Sequence, residues 1–333
     1  MKNPIAPPPV TSHQFYALPL SVICGHANLR PWLYSEWIQL HTFRDREDGR
    51  MHVRLYNNQN EMFFYEPLFG SIIRPKPLTN GDRIVEVCKG ILADGQYIYD
   101  FVDLFYIRAL RYGRHFMHDL LLFGFDDLRG VFHAYAYQGS RLAEFEIPYS
   151  DYEEAYRSEY QNSQFHCTVL YRPKAERFRP DFRRIGNHLL DYLGGINTYQ
   201  REAPRSEPLY RPRFGLAVYD ELAYNLDYMR TRFLRIDIPD TCCVSDHKTF
   251  MLERVLYLDG HTDAKCSAEL KNRFSEIAAS GKILVLLTMK LNQKGFSPSD
   301  CEALLRRFSL LKEMEKRTYT DYYEANRSVF ENA

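Results

Sequence analysis

Residues Arg114–Gln138 read RHFMHDLLLFGFDDLRGVFHAYAYQ, and this stretch decides the fold. The apolar run Asp119–Phe125 holds Leu120, Leu121, Leu122, Phe123 and Phe125. Asp126-Asp127-Leu128-Arg129-Gly130 follows, with two turn-forming acids and a glycine. The run Val131–Tyr137 is aromatic and β-rich. Together they predict a β-hairpin with His118 at the mouth of its first strand. If the hairpin closes near Asp127–Arg129, the residue facing His118 is Tyr137 or Gln138. A histidine at a strand start, oriented by a polar partner on the next strand, suits a general base. The bland alternative is a half-buried histidine in a sheet.

Outward from the hairpin, Gln96–Ile107 (QYIYDFVDLFYI) predicts a preceding strand. Run antiparallel to Phe116–Phe125, it brings Asp103 near His118 as a second candidate to orient the imidazole. Asp100 reads as the wet face of an edge strand. Asp82–Ile91 has room for a short helix. Met51–Leu78 reads as short strands and loops, with MHVRLYN, EMFFYEPLF and SIIRPKPL as the strand candidates. Leu29, Leu33, Trp37 and Leu40 share the helical period, with a start near Arg30 because Pro31 is tolerated only in a first turn. Cys24 lies just ahead of that helix, where the dipole favours a thiolate. A small buried cysteine is the plainer reading.

The text changes after Pro148. Asp151–Tyr160 predicts a helix capped by Ser150, Gln164–Tyr171 a strand, and Asp181–Leu193 a helix ending at Gly194-Gly195. Beyond a polar loop, Leu216–Leu234, Ser245–Leu258 and Ala268–Ala279 predict helices, the last ending at Gly281. Ile283–Leu291 must be buried. Ser297-Pro298 starts a final helix with Leu304, Phe308 and Leu311 inward, and its tail TYTDYYEANR reads as partner-facing or frayed. The expected organisation is an α+β half, residues 10–150, followed by a mainly helical half, residues 151–333.

Composition narrows the function classes. The 43 basic and 43 acidic residues cancel, which argues against an electrostatic nucleic-acid binder. No run reaches the ~20 apolar residues of a membrane helix. Met1–Pro9, with four prolines, reads as a loose tail without a secretory signal. Seven cysteines, an odd count with no CxxC pair, predict reduced thiols and a cytoplasmic home. His115 and His118, three apart on a strand, would point to opposite faces, so a metal centre with His133 is not expected. The glycines at Gly194-Gly195 follow a helix and do not make a phosphate loop.

A cysteine early in the chain and a histidine at a strand start about 90 residues later is the order of papain-like enzymes. The setting Cys24, Gly25, Ala27, Leu29 is similar to that of the nucleophile in bacteriocin leader-processing cysteine peptidases. HFMHDLLLFGFDD, then VFHAYAY and a Tyr/Glu-rich helix, resembles the butirosin biosynthesis protein H N-terminal family, over about residues 13–160. The resemblance implies a papain-like fold with Cys24 as nucleophile and His118 as base. It implies acyl transfer from the pantetheinyl thioester of an acyl or peptidyl carrier protein to a small amine or aminoacyl acceptor, in peptide or polyketide natural-product biosynthesis. No cofactor is expected on the chain itself, since phosphopantetheine arrives on the carrier. The helical half would cover the site. The sequence departs from this pattern in three ways. Gln138 stands where an acid is expected, Gln14 is ten residues before Cys24 rather than a few, and Pro31 disturbs the helix that should carry the nucleophile. A cysteine peptidase or amidase of the same fold, and a non-catalytic binding protein with a degenerate triad, are the alternatives.

Overall fold

The structure is a computed structural model that describes residues 1–44, 50–56, 65, 67–70, 72–75, 83–160, 167–202, 212–232 and 235–332. Much of the expected strand EMFFYEPLF lies outside the described residues. Along the chain run α1 (Gln14–Gly25), α2 (Arg30–Leu33), β1 (Leu40–Arg44), β2 (Met51–Leu55), β3 (Ile72–Pro75) and α3 (Ile84–Ala93). Then come β4 (Tyr97–Asp103), β5 (Met117–Asp126), β6 (Val131–Gln138), β7 (Arg141–Pro148), α4 (Tyr149–Arg157) and β8 (Cys167–Tyr171). Helices α5 (Phe182–Gly194), α6 (Thr198–Glu202), α7 (Val218–Thr231), α8 (Ile238–His261), α9 (Ala268–Lys294), α10 (Pro298–Ala325) and α11 (Arg327–Glu331) complete it.

Two compact units divide these elements, and each is discontinuous in sequence. The first is Met1–Arg30 with Gln59–Phe178; the second is Pro31–Asn58 with Arg179–Ala333. The sequence predicts one boundary at 150/151, whereas β8 belongs to the sheet of the first unit and β1–β2 to the helical one. A strand pairs where its hydrogen-bonding edge finds a partner, which linear composition does not reveal.

The first unit is built on a six-stranded sheet in the order β3-β8-β4-β5-β6-β7, with antiparallel neighbours. Strand alternation sorts its side chains. Ile98, Val102, Leu120, Leu122, Phe132, Ala134 and Ile147 form one core with Ile84, Cys88 and Leu92 of α3 and Tyr152 and Ala155 of α4. Asp119, Leu121 and Phe123 take the opposite face, and α1 lies over β5 and β6 there. Helix α1 is apolar nearly all round, and Tyr16–Ile23 are all buried.

Several local expectations change, among them the burial of Ile283–Leu291, where Ile283, Leu286 and Met289 are exposed on α9, and the cap at Ser150, which lies inside α4. Asp100 is fully buried on a central strand, held by the hydroxyls of Tyr152 and Thr168. The N-terminal residues are not loose: Lys2 bridges Gly124, and Asn3 donates its backbone N–H to Phe123 and its amide to Leu92 and Gln96. Gly124 is required there, because a Cβ would collide with the Met1 carbonyl. Gly281 does not end a helix. Helix α9 runs through it, and the missing side chain lets α9 approach α8, where a Cβ would stand 3.2 Å from the Ser245 Cα. The tail of α10 is packed rather than frayed, with Thr318, Tyr319, Tyr322 and Tyr323 buried.

The helical unit centres on a buried polar cluster. The Lys248 ammonium donates to Glu315, to the Tyr192 hydroxyl at 2.9 Å and to His247 Nδ1 at 2.9 Å. Tyr219 donates to the same carboxylate at 2.6 Å, and Tyr192 does so too. His247 Nε2–H is spent on the Ile38 carbonyl. Every proton and lone pair named here has a partner, which makes such a cluster tolerable in an apolar bundle.

Candidate functional site

His118 sits where the sequence puts it, at the start of β5, facing Val102 across the β4–β5 ladder. Its orienting partner is its own neighbour: Nδ1 stands 2.6 Å from the Asp119 carboxylate. Asp119 is buried and takes a second hydrogen bond, at 2.6 Å, from the Tyr99 hydroxyl. Burial alone would lower the pKa of His118, but the adjacent Asp119 carboxylate outweighs it and the net shift is upward. Burial and then Asp119 hold the Tyr99 phenol well above its usual range.

What faces His118 is the N-terminus of α1, and the residue there is Gln14. Both hydrogens of its amide are committed, and its oxygen takes one bond. Nε2–H donates to the Asp119 carboxylate at 2.8 Å and to the Asp119 carbonyl, and Oε1 accepts from the Tyr137 N–H at 2.7 Å. The same nitrogen lies 3.1 Å from His118 Nδ1. The β5–β6 pairing runs as far as Leu121 with Tyr135. One step on, a side-chain amide joins Asp119 O to Tyr137 N, in place of the direct peptide-to-peptide bond that would continue the ladder. Gln14 thereby splices helix to sheet beside His118.

Cys24 is elsewhere. It lies in the last turn of α1, ten helical residues from Gln14, a rise of about 15 Å. The next residues confirm the direction of the helix: Gly25 packs on Pro4, and His26 meets the Tyr97 hydroxyl at 3.0 Å, at the far end of β4 from Val102. The structure does not bring Cys24 to His118. The expected helix near Arg30 spans only Arg30–Leu33, so Cys24 stands at the negative end of one helix rather than the positive end of another.

Carried on from Leu121 with Tyr135, the β5–β6 register sets Gln138 across from His118 as expected, but among the described residues neither candidate orienting residue hydrogen-bonds to that imidazole. Gln138 closes the β6–β7 turn opposite Arg141. Asp103 is fully buried and does orient a histidine, but it is His115, with Nδ1 at 2.6 Å. It also accepts from Ser158 and from the N–H groups of Phe105 and Phe116. These bonds outweigh the cost of its burial and leave its carboxyl below the usual range. His115 lines an open pocket of ≈ 650 Å³ with Tyr106, Glu154, Arg157, Ser158 and Tyr160.

The sequence places Gln14 only by its distance from Cys24 and predicts no helix over the apolar run Phe15–Cys24 that it opens. Thr11-Ser12 ahead of that apolar run was the available helix-start signal. No family model matches the chain, and a search of curated proteins finds no match.

Proposed function

We propose that the first unit is a papain-like scaffold in which Gln14 occupies the nucleophile's place, and that the protein is a non-catalytic binding protein with a degenerate Cys–His site. The observation that carries this reading is the Gln14 amide, locked between Asp119 and Tyr137 directly opposite His118. A carboxamide is no nucleophile, and both hydrogens of this one are spent on Asp119, leaving none to donate to an oxyanion. The arrangement of helix N-terminus, strand-start histidine and carboxylate supports the papain-like part. On this reading the partner implied by the resemblance, an acyl or peptidyl carrier protein, is held rather than relieved of its acyl group. The pocket beside His115, with its stacked aromatic rings, offers a place for part of a ligand.

The test has two arms. The native protein, incubated with an acyl-pantetheine thioester, is expected to show no acyl adduct by intact mass. A stoichiometric adduct that disappears in Cys24→Ala would restore the acyltransferase reading. In Gln14→Cys, a thiol placed against His118 is expected to react with iodoacetamide at least about tenfold faster than Cys24, and His118→Ala is expected to remove the gain. A Gln14→Cys thiol as slow as Cys24 would count against the papain-like geometry.

A further inference from the structure

Across the described residues, a second constellation stands apart from the Gln14–His118 site, within the helical unit. His52 lies on β2, and Asp237 and Asp240 begin α8. We propose that His52, Asp237 and Asp240 form a binding site for one divalent transition-metal cation of the Zn²⁺ class, held by an imidazole nitrogen and two carboxylate oxygens.

Four observations converge. The first is spacing. His52 Nδ1 lies 3.3 Å from Asp237 Oδ2 and 3.3 Å from Asp240 Oδ2. Ligands at about 2.0–2.1 Å from a tetrahedral ion stand about 3.4 Å apart, whereas charge-assisted hydrogen bonds run about 2.7–2.9 Å. The second is directional. Nδ1 is shut off from solvent and makes no bond of hydrogen-bonding geometry among the described residues, although two carboxylates surround it. The third is the outer support. Asp240 is buried, and its Oδ1 accepts from the Val53 N–H at 3.0 Å and from Arg54 at 3.2 Å, which turns Oδ2 toward His52. Metal-binding carboxylates are oriented in this way. The His52 ring is itself stacked on Phe43, its cross-strand partner. The fourth is the cap. Asp237 is the N-cap residue of α8, yet its side chain makes no capping bond, a stabilisation of about 1 kcal/mol forgone.

The donor set of one nitrogen and two oxygens suits Zn²⁺ and its neighbours better than Mg²⁺, which favours oxygen alone. Asp237 is about one-third exposed, 32 % by side chain, so the cation would keep an open position for water or an exogenous ligand. Arg54 offsets one carboxylate, leaving a net charge of −1 around a neutral imidazole. A proton is the rival occupant, for the two carboxylates also favour the imidazolium, which reaches a pKa of about 9. The experiment separates a metal site from a doubly paired imidazolium.

The full-length protein, stripped with chelator, is titrated with Zn²⁺ by calorimetry and with Co²⁺ by visible absorption. Expected are one site per chain with a Kd of about 10 µM or tighter, and a Co²⁺ spectrum without a thiolate charge-transfer band. His52→Ala and Asp237→Asn are each expected to weaken binding by about 100-fold or more. Asp237→Asn, on the exposed side, guards against a folding defect in His52→Ala, and melts of both variants without metal check it. Affinity unchanged in the two variants, a Kd of about 1 mM or weaker, or a thiolate band from the cysteines would overturn the site.

Discussion

At the scale of single residues, Gln14 does three jobs with one amide. It satisfies a carbonyl and a carboxylate of Asp119 and the N–H of Tyr137. In Gln14→Ala the buried Asp119 groups and the part-buried Tyr137 N–H lose their partner and a cavity opens beneath α1. The expected cost is roughly 2–4 kcal/mol, read as a lower urea midpoint with unchanged slope. A loss under about 0.5 kcal/mol would show that water replaces the amide without penalty. The hairpin around His118 was legible because its signal is local: a short apolar run, two acids and a glycine, then an aromatic, β-rich run. Gln14 was not, since its meaning depends on residues more than 100 positions away. Cys24 misled for the same reason. Its neighbours Gly25 and Ala27 resemble a nucleophile's setting, but which helix claims a cysteine depends on whether the helix precedes or follows it, and here α1 precedes.

At the scale of elements, four helices of the second unit meet at a buried ion pair. Lys248 comes from α8, Glu315 from α10, Tyr192 from α5 and Tyr219 from α7. Burial pulls the Lys248 ammonium below its usual range, and Glu315 opposes that shift. Removing one partner strands the other charge away from water. Lys248→Met alone is therefore expected to destabilise by about 3–5 kcal/mol, and Lys248→Met with Glu315→Leu by distinctly less, because the pair together repays little beyond its own desolvation. Chemical denaturation of the two single variants and the double variant checks this; strictly additive losses would contradict it. The helices themselves were largely readable from period and caps, as Ser297 on α10 and Gly195 after α5 illustrate. The continuity of α9 through Gly281 was not. A glycine reads as a stop locally, and only the close approach of α8 makes it an interhelical contact instead.

At the scale of the whole molecule, net charge is zero and no described helix is long and apolar enough to cross a membrane. Its response to acid is set by buried histidines. Burial first, and Arg54 further, hold His41 neutral with a pKa of about 4, and burial with Lys248 holds His247 well below its usual value. Burial likewise lowers His26 and His133. A histidine whose folded pKa is depressed takes its proton more readily when unfolded. Its effect is absent above the unfolded value of 6.5, and stability falls as pH drops from 6.5 toward 4. For His41 alone the limit is roughly 3 kcal/mol. The urea midpoint is therefore expected to fall between about pH 7 and about pH 4.5, before carboxylates titrate in bulk. A flat profile across that window would mean that these imidazoles gain solvent on protonation.

The sequence by itself determined the long helices of the second unit, the mixed α and β composition, the antiparallel hairpin and the position of His118 at its mouth. These follow from periodicity, turn chemistry and capping, all of which act within a few residues. Tertiary structure alone decided which side chain stands opposite that histidine, which histidine Asp103 orients, and that His52 meets Asp237 and Asp240. Each of these depends on strand register and on which end of a helix abuts the sheet. Both are settled by burying apolar faces over the whole unit, a condition that no short stretch of sequence carries.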